Sequence, residues 1–149
     1  WLYRNRGLTL EQKKKIEKKL KTKLSIYSND SINPLNIFPF KTLKNGIKVF
    51  FAKDEYMKNR GLIGVKKRDF KDNYILMFND IKPGTYFHMR GVEFPIDVVF
   101  ITKDLDIIDI VPLKPEVGIC KVPPGTKYVL ETNIGWCNKN KDMIYNLFI

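Results

Sequence analysis

Ile96-Asp97-Val98-Val99-Phe100-Ile101-Thr102, then Lys103-Asp104-Leu105-Asp106, then Ile107-Ile108-Asp109-Ile110-Val111, is the stretch that decides the fold class. An apolar run, a polar turn and a second apolar run read as two strands folded back on each other. The same grammar extends in both directions. Upstream, Tyr74–Phe78 and Thr85–Met89 read as strands, separated by a turn containing Pro83-Gly84. Asn45-Gly46, set between Leu43 and Ile47-Lys48-Val49-Phe50, predicts a two-residue hairpin turn with both positions at φ > 0. Residues 57–64 read as a short helical or turn segment. Downstream, Pro112, Pro115, Pro123, Pro124 and Gly125 predict a long loop, and Lys127–Thr132 and Met143–Ile149 predict the last strands. Short strands separated by turns over about 100 residues predict a mainly β fold, a small antiparallel sandwich or barrel with a short helical segment.

The first part of the chain differs. Thr9-Leu10-Glu11-Gln12 has the form of a capping box, and good helix formers follow to Leu24. Ile16, Leu20 and Leu24 form a thin apolar stripe among Lys13, Lys14, Lys15, Lys18, Lys19, Lys21 and Lys23. Residues 25–40, with Ser28, Asn29, Asp30, Ser31, Asn33, Pro34 and Pro39, read as a linker or extended segment. The expected organisation is a basic helical arm and linker over 1–46 and a β domain over 47–149.

The charge follows that division. The net charge is +11, and residues 1–24 carry nine basic and two acidic side chains, or +7. The remainder carries +4. Such an arm attracts phosphate, acidic protein or anionic lipid. The opening Trp1-Leu2-Tyr3-Arg4-Asn5-Arg6 reads either as the interfacial end of a membrane anchor or as residues following a cleaved segment. Ala52 is the only alanine, whereas Lys, Asn and Ile abound, which points to an AT-rich gene. Organelle, virion and membrane-associated or extracytoplasmic locations all stay open.

No run of 18 apolar residues occurs. A G-x-S-x-G elbow, a P-loop and a dinucleotide fingerprint are absent from the sequence. His88 is the only histidine, so any catalytic base of that type must be His88. Cys120 and Cys137 form no C-x-x-C pair, and with His88 they give three soft ligands where structural zinc wants four. No metal and no cofactor are expected, and the balance leans away from an enzyme. A Cys–His dyad would need His88 beside one of the thiols.

Asp97 and Glu131 are the acids of interest. Each sits in an apolar strand, where a carboxylate needs either a partner or a pocket. For Asp97 the structural reading is acceptance of backbone amides or pairing with Arg90 or Arg60. The functional reading places Asp97 and Glu131 at one cleft.

These residues also carry a resemblance. Phe87-His88-Met89-Arg90, followed by Phe94-Pro95-Ile96-Asp97 and an apolar strand, resembles the central signature of the domain of unknown function family 192, roughly F-W-M-K-N-T and then P-L-D. Arg60-Gly61-Leu62-Ile63 resembles its R-G-L-M turn, and Leu76-Met77-Phe78 its G-M-L-F strand. Tyr128-Val129-Leu130-Glu131 with Gly135 resembles its V-L-E-x-x-x-G segment. The resemblance spans about residues 47–149 and implies a compact, mostly antiparallel β fold with no established activity. Carried over by position, Met89, Pro95, Asp97 and Glu131 would line or brace any shared pocket, with His88 beside them. His88 stands where the signature has Trp, Gly91-Val92 where it has N-T, Ile63 where it has Met, and Ile75 where it has Gly. If the family's Trp and Asn touch a ligand, this chain lacks those contacts.

The first functional expectation is a non-catalytic β module, a structural or accessory subunit docking on protein partners through the arm, with RNA or anionic membrane as further contacts of residues 1–24. The alternative is a small-ligand-binding domain or uncharacterised enzyme with its pocket at Asp97 and Glu131. Nucleic-acid binding on the sheet ranks last, and specific DNA recognition is not expected, because aromatics in strands are mostly core.

Overall fold

The sixteen-residue stretch forms two strands of a larger sheet in a computed structural model that describes residues 33–148 together with Leu10, Glu11, Gln12, Lys14, Lys15 and Lys18. Those six arm residues are helical and exposed, and Glu11 and Lys15, one turn apart, approach to 3.8 Å. Lys13, Ile16, Lys19, Leu20 and Leu24 lie outside the described residues.

The elements in chain order are β1 (Phe40–Thr42), β2 (Lys48–Ala52), α1 (Glu55–Arg60), β3 (Tyr74–Asn79), β4 (Tyr86–His88), β5 (Ile96–Ile101), β6 (Ile107–Leu113), β7 (Ile119–Lys121), β8 (Tyr128–Asn133) and α2 (Trp136–Lys139). Six strands form one sheet in the order β1-β2-β3-β8-β5-β6, and β4 and β7 form a separate two-stranded ribbon. The fold is mainly β and sandwich-like, as expected. One pairing departs from the antiparallel expectation: β2 and β3 run parallel, joined by a crossover that contains α1.

β5 is buried at every position because both faces of the sheet are covered. Ile96, Val98 and Phe100 point to one face with Leu76, Phe78 and Val129. Phe87, Met89, Val92 and Phe94 cover that face, which we call the ribbon face. Val99 and Ile101 point to the other face with Ile75, Met77 and Leu130, where Trp136, Cys137, Ile144 and Leu147 cover them. This is the C-terminal face. The period of two that separates the two cores is the ordinary alternation of a strand.

Four local readings change. Residues 143–148 are not a strand: Lys141–Met143 and Tyr145–Phe148 are 3₁₀ turns. Ile144 and Leu147 are three apart and both point inward, which is a helical spacing. The predicted long loop contains β7, whose three residues between prolines are too few to show a pattern. The described part of the expected linker is packed, with Leu35 and Phe38 in the ribbon-face core. The hairpin at Asn45-Gly46 exists, but only Gly46 has positive φ, at 86°. Gly46 N donates to Leu43 O and Leu43 N to Ile47 O, so the loop spans three residues with Gly46 at a bulge.

Candidate functional site

Cross-strand register separates the two acids. Asp97 pairs with Thr132 on β8, whereas Glu131 pairs with Val98 on one side and Leu76 on the other. Directly paired residues share a face, so Asp97 points to the C-terminal face and Glu131 to the ribbon face. The two carboxylates do not meet, and a two-carboxylate cleft is not assembled.

Asp97 is buried, and its Oδ2 accepts a hydrogen bond from Gly135 N at 2.8 Å. It fastens the turn that leads from β8 into α2. Asn133 does similar work, with no forewarning among its neighbours in the chain. Its Nδ2 donates to Phe70 O and Lys71 O, both at 3.0 Å, and Lys67 Nζ donates to its Oδ1 at 2.9 Å. An Asn closing an apolar strand has no motif of its own, so only the fold reveals this clasp.

Glu131 has a different environment. It is 6% exposed, and its Oε1 has no hydrogen-bond partner among the described residues. Burial pushes its carboxyl up to about 7. It sits at a narrow cleft of about 20 Å³ whose lining includes Gly61, Ile63, Phe78, Phe87, His88 and Val92. That is room for one water-sized group. The Arg60-Gly61-Leu62-Ile63 turn builds one wall. Gly61 N closes α1 by donating to Met57 O. Arg60, itself buried, donates from Nε to Ile63 O at 2.9 Å and from Nη1 to the Tyr56 hydroxyl at 3.2 Å. Gly61 has φ +49°, and a Cβ placed there would lie 3.5 Å from Glu131 Oε1. A side chain there would rest against the carboxyl, and the positive φ favours glycine.

His88 stands on the second wall, and its Nδ1 accepts from Arg90 N at 3.3 Å. Met89 is buried in the ribbon-face core, and its N–H donates to Gly118 O. Pro95 is exposed just before β5. Of the five predicted site residues, the structure therefore brings His88 and Glu131 to one cleft. Met89 packs in the core of the same face, Asp97 lies across the sheet, and Pro95 faces outward.

The Cys–His dyad is not assembled either. Cys120 pairs with Phe87 and His88 with Ile119, so the Cys120 and His88 side chains leave opposite faces of the ribbon. Burial, with Glu131 and Asp109 adding to it, pushes the Cys120 thiol up to about 12. Burial likewise raises Cys137. Both thiols are free, and they belong to opposite faces of the sheet. Among the described residues no group of three or more His, Cys, Asp or Glu side chains is placed to hold a metal ion. None of the helices among them is long and apolar enough to cross a membrane.

The sequence profile of the domain of unknown function family 192 (DUF192), described as "Uncharacterized ACR", matches residues 40–141. The chain belongs to this family. Two solved structures share the DUF192 chain's fold. One is a protein of unknown function from Novosphingobium aromaticivorans DSM 12444, 21% identical, with TM-score 0.54, covering 67% of this chain and 74% of that one. The other, described as a candidate transcription regulator, is from Sinorhizobium meliloti 1021, 22% identical, with TM-score 0.54, covering 67% and 81%. At these identities the likeness concerns the fold alone. No curated protein matches the chain.

Family membership recasts two departures from the signature. Gly91 has φ +85°, a conformation that Gly and Asn adopt more readily than other residues. A Cβ at Gly91 would lie 2.9 Å from Ile63 Cγ2. The branched methyl of Ile63, where the DUF192 turn has Met, thus occupies the space beside the position where the signature has Asn. The two changes fit each other sterically.

Proposed function

We propose that the β body is a small-ligand-binding domain, with Glu131 as the group that meets the ligand at the ribbon-face cleft. One observation carries this reading: a buried carboxyl oxygen without a partner among the described residues lies at an opening. An orphaned buried acceptor is costly, and a ligand donor removes that cost. The narrow opening suits the tip of a larger molecule, an N–H or O–H donor no wider than an ammonium or amide group. Asp97 has no part in it, being occupied by the Gly135 amide. The test is titration of the full chain with methylammonium and formamide, read by amide NMR shifts. Saturable shifts at Gly61, Ile63, His88 and Val92, lost in Glu131→Ala, are expected. Flat titrations with both probes would reject the reading.

A second role rests on the arm. The exposed, helical Leu10, Glu11, Gln12, Lys14, Lys15 and Lys18 favour docking of residues 1–24 on an acidic surface, making the domain an accessory subunit of a larger assembly. Acidic protein, RNA and anionic lipid are the partner chemistries. Binding should fall steeply with salt and vanish in a chain lacking residues 1–24. Equal affinity of the two chains would place the contact elsewhere.

A further inference from the structure

On the C-terminal face lies a second and larger depression, about 520 Å³, within the range of small-molecule sites. It sits where β2 and β3, the parallel pair, end: Ala52 and Lys53 line it from one strand end, Asn79 and Asp80 from the other. Carboxyl ends of parallel strands are a recurrent position for ligand crevices. Its apolar surface includes Phe51, Met77, Leu147 and Phe148. Three lysines, Lys41, Lys53 and Lys58, line it as well. Asp80 is the one acid among its lining residues, and it is hydrogen-bonded to Lys127. The groove is therefore apolar inside and carries an excess of positive charge.

We propose that this groove binds a small amphipathic anion, with a carboxylate or phosphate head at Lys53 and Lys58 and an apolar body on Met77 and Phe148. Charge complementarity selects the head, and the apolar lining selects the body. The site is independent of Glu131, which faces the other side of the sheet. Calorimetric titration of the full chain with decanoate, decyl phosphate, decanol and inorganic phosphate tests it. Saturable binding of the two amphiphilic anions is expected, with decanol and inorganic phosphate each weaker by about tenfold or more. In Lys53→Gln/Lys58→Gln both anions should weaken by about tenfold, since two exposed ion pairs are lost while the arm keeps its charge. Amide shifts at Lys53, Asn79 and Phe148 locate the contact in the unaltered chain. Decanoate against decyl phosphate tells a carboxylate ligand from a phosphate one. Glu131→Gln should leave all four titrations unchanged. The proposal falls if decanol binds as tightly as the anions, if the double variant melts normally and keeps full affinity, or if no saturable binding occurs.

Discussion

Glu131 and Asp97 look alike in the sequence, each an acid in an apolar strand, and register gives them opposite environments. For Glu131 the consequence is a pH dependence of known sign. Its folded value is about 7 against 4.5 for the free side chain. Between those values the folded protein keeps a proton that the unfolded chain has released. The stability this gives is complete below about 4.5 and is lost as pH rises through about 7. The swing is about 3 kcal/mol on the usual conversion. Urea unfolding at about pH 5 and about pH 8 should show it, and Glu131→Gln should flatten the difference. Equal losses in both proteins would place the titration elsewhere. For Asp97 the expected outcome is structural. Asp97→Ala leaves the Gly135 amide without its acceptor and should cost about 1–3 kcal/mol, with ligand binding at Glu131 retained. That both acids sit in the apolar interior was legible from their apolar flanks. That they do not cooperate was not, because facing depends on the parity of pairing between β5 and β8.

The elements around the cleft explain more of the sequence than their lengths suggest. The turn after α1 and the turn after β4 touch: Gly64 N donates to Gly91 O at 3.2 Å, and Ile63 packs beside Gly91. In the sequence alone, Gly91 in place of Asn means a lost ligand contact only if the family's Asn touches a ligand. The left-handed φ and the Ile63 methyl give it a conformational and steric account instead. Gly91→Asn should therefore destabilise this protein, by about 1–2 kcal/mol, because its Cβ meets Ile63. Ile63→Met frees that space, so the double variant should recover part of the loss, with a coupling of about 0.5 kcal/mol or more in a double-mutant cycle. Additive effects would mean the two turns do not sense each other. β7 and the 3₁₀ turns after α2 were illegible for a different reason. Elements of three or four residues are too short to show a periodicity of their own, and their conformation is set by what they cover: Cys120 packs on the ribbon-face core, and Leu147 lies in the other.

For the molecule as a whole, the apolar runs of β3 and β5, each bounded by turn residues, were enough to foresee a mainly β body, because strands covered on both faces read as near-continuous apolar runs. Strand order was not foreseeable. Nothing local in Tyr128–Asn133 says that it inserts between β3 and β5 rather than extending an edge. That insertion sets how late in synthesis the sheet can close. A nascent chain emerges amino-terminus first, so β1-β2-β3 and β5-β6 leave the ribosome as two unjoined half-sheets. Each presents a bare inner border of unpaired amides and carbonyls until β8 arrives to bridge them. Translation arrested before Tyr128 should yield a protease-sensitive, chaperone-bound polypeptide, and lengthening past Asn133 should convert it to a resistant one.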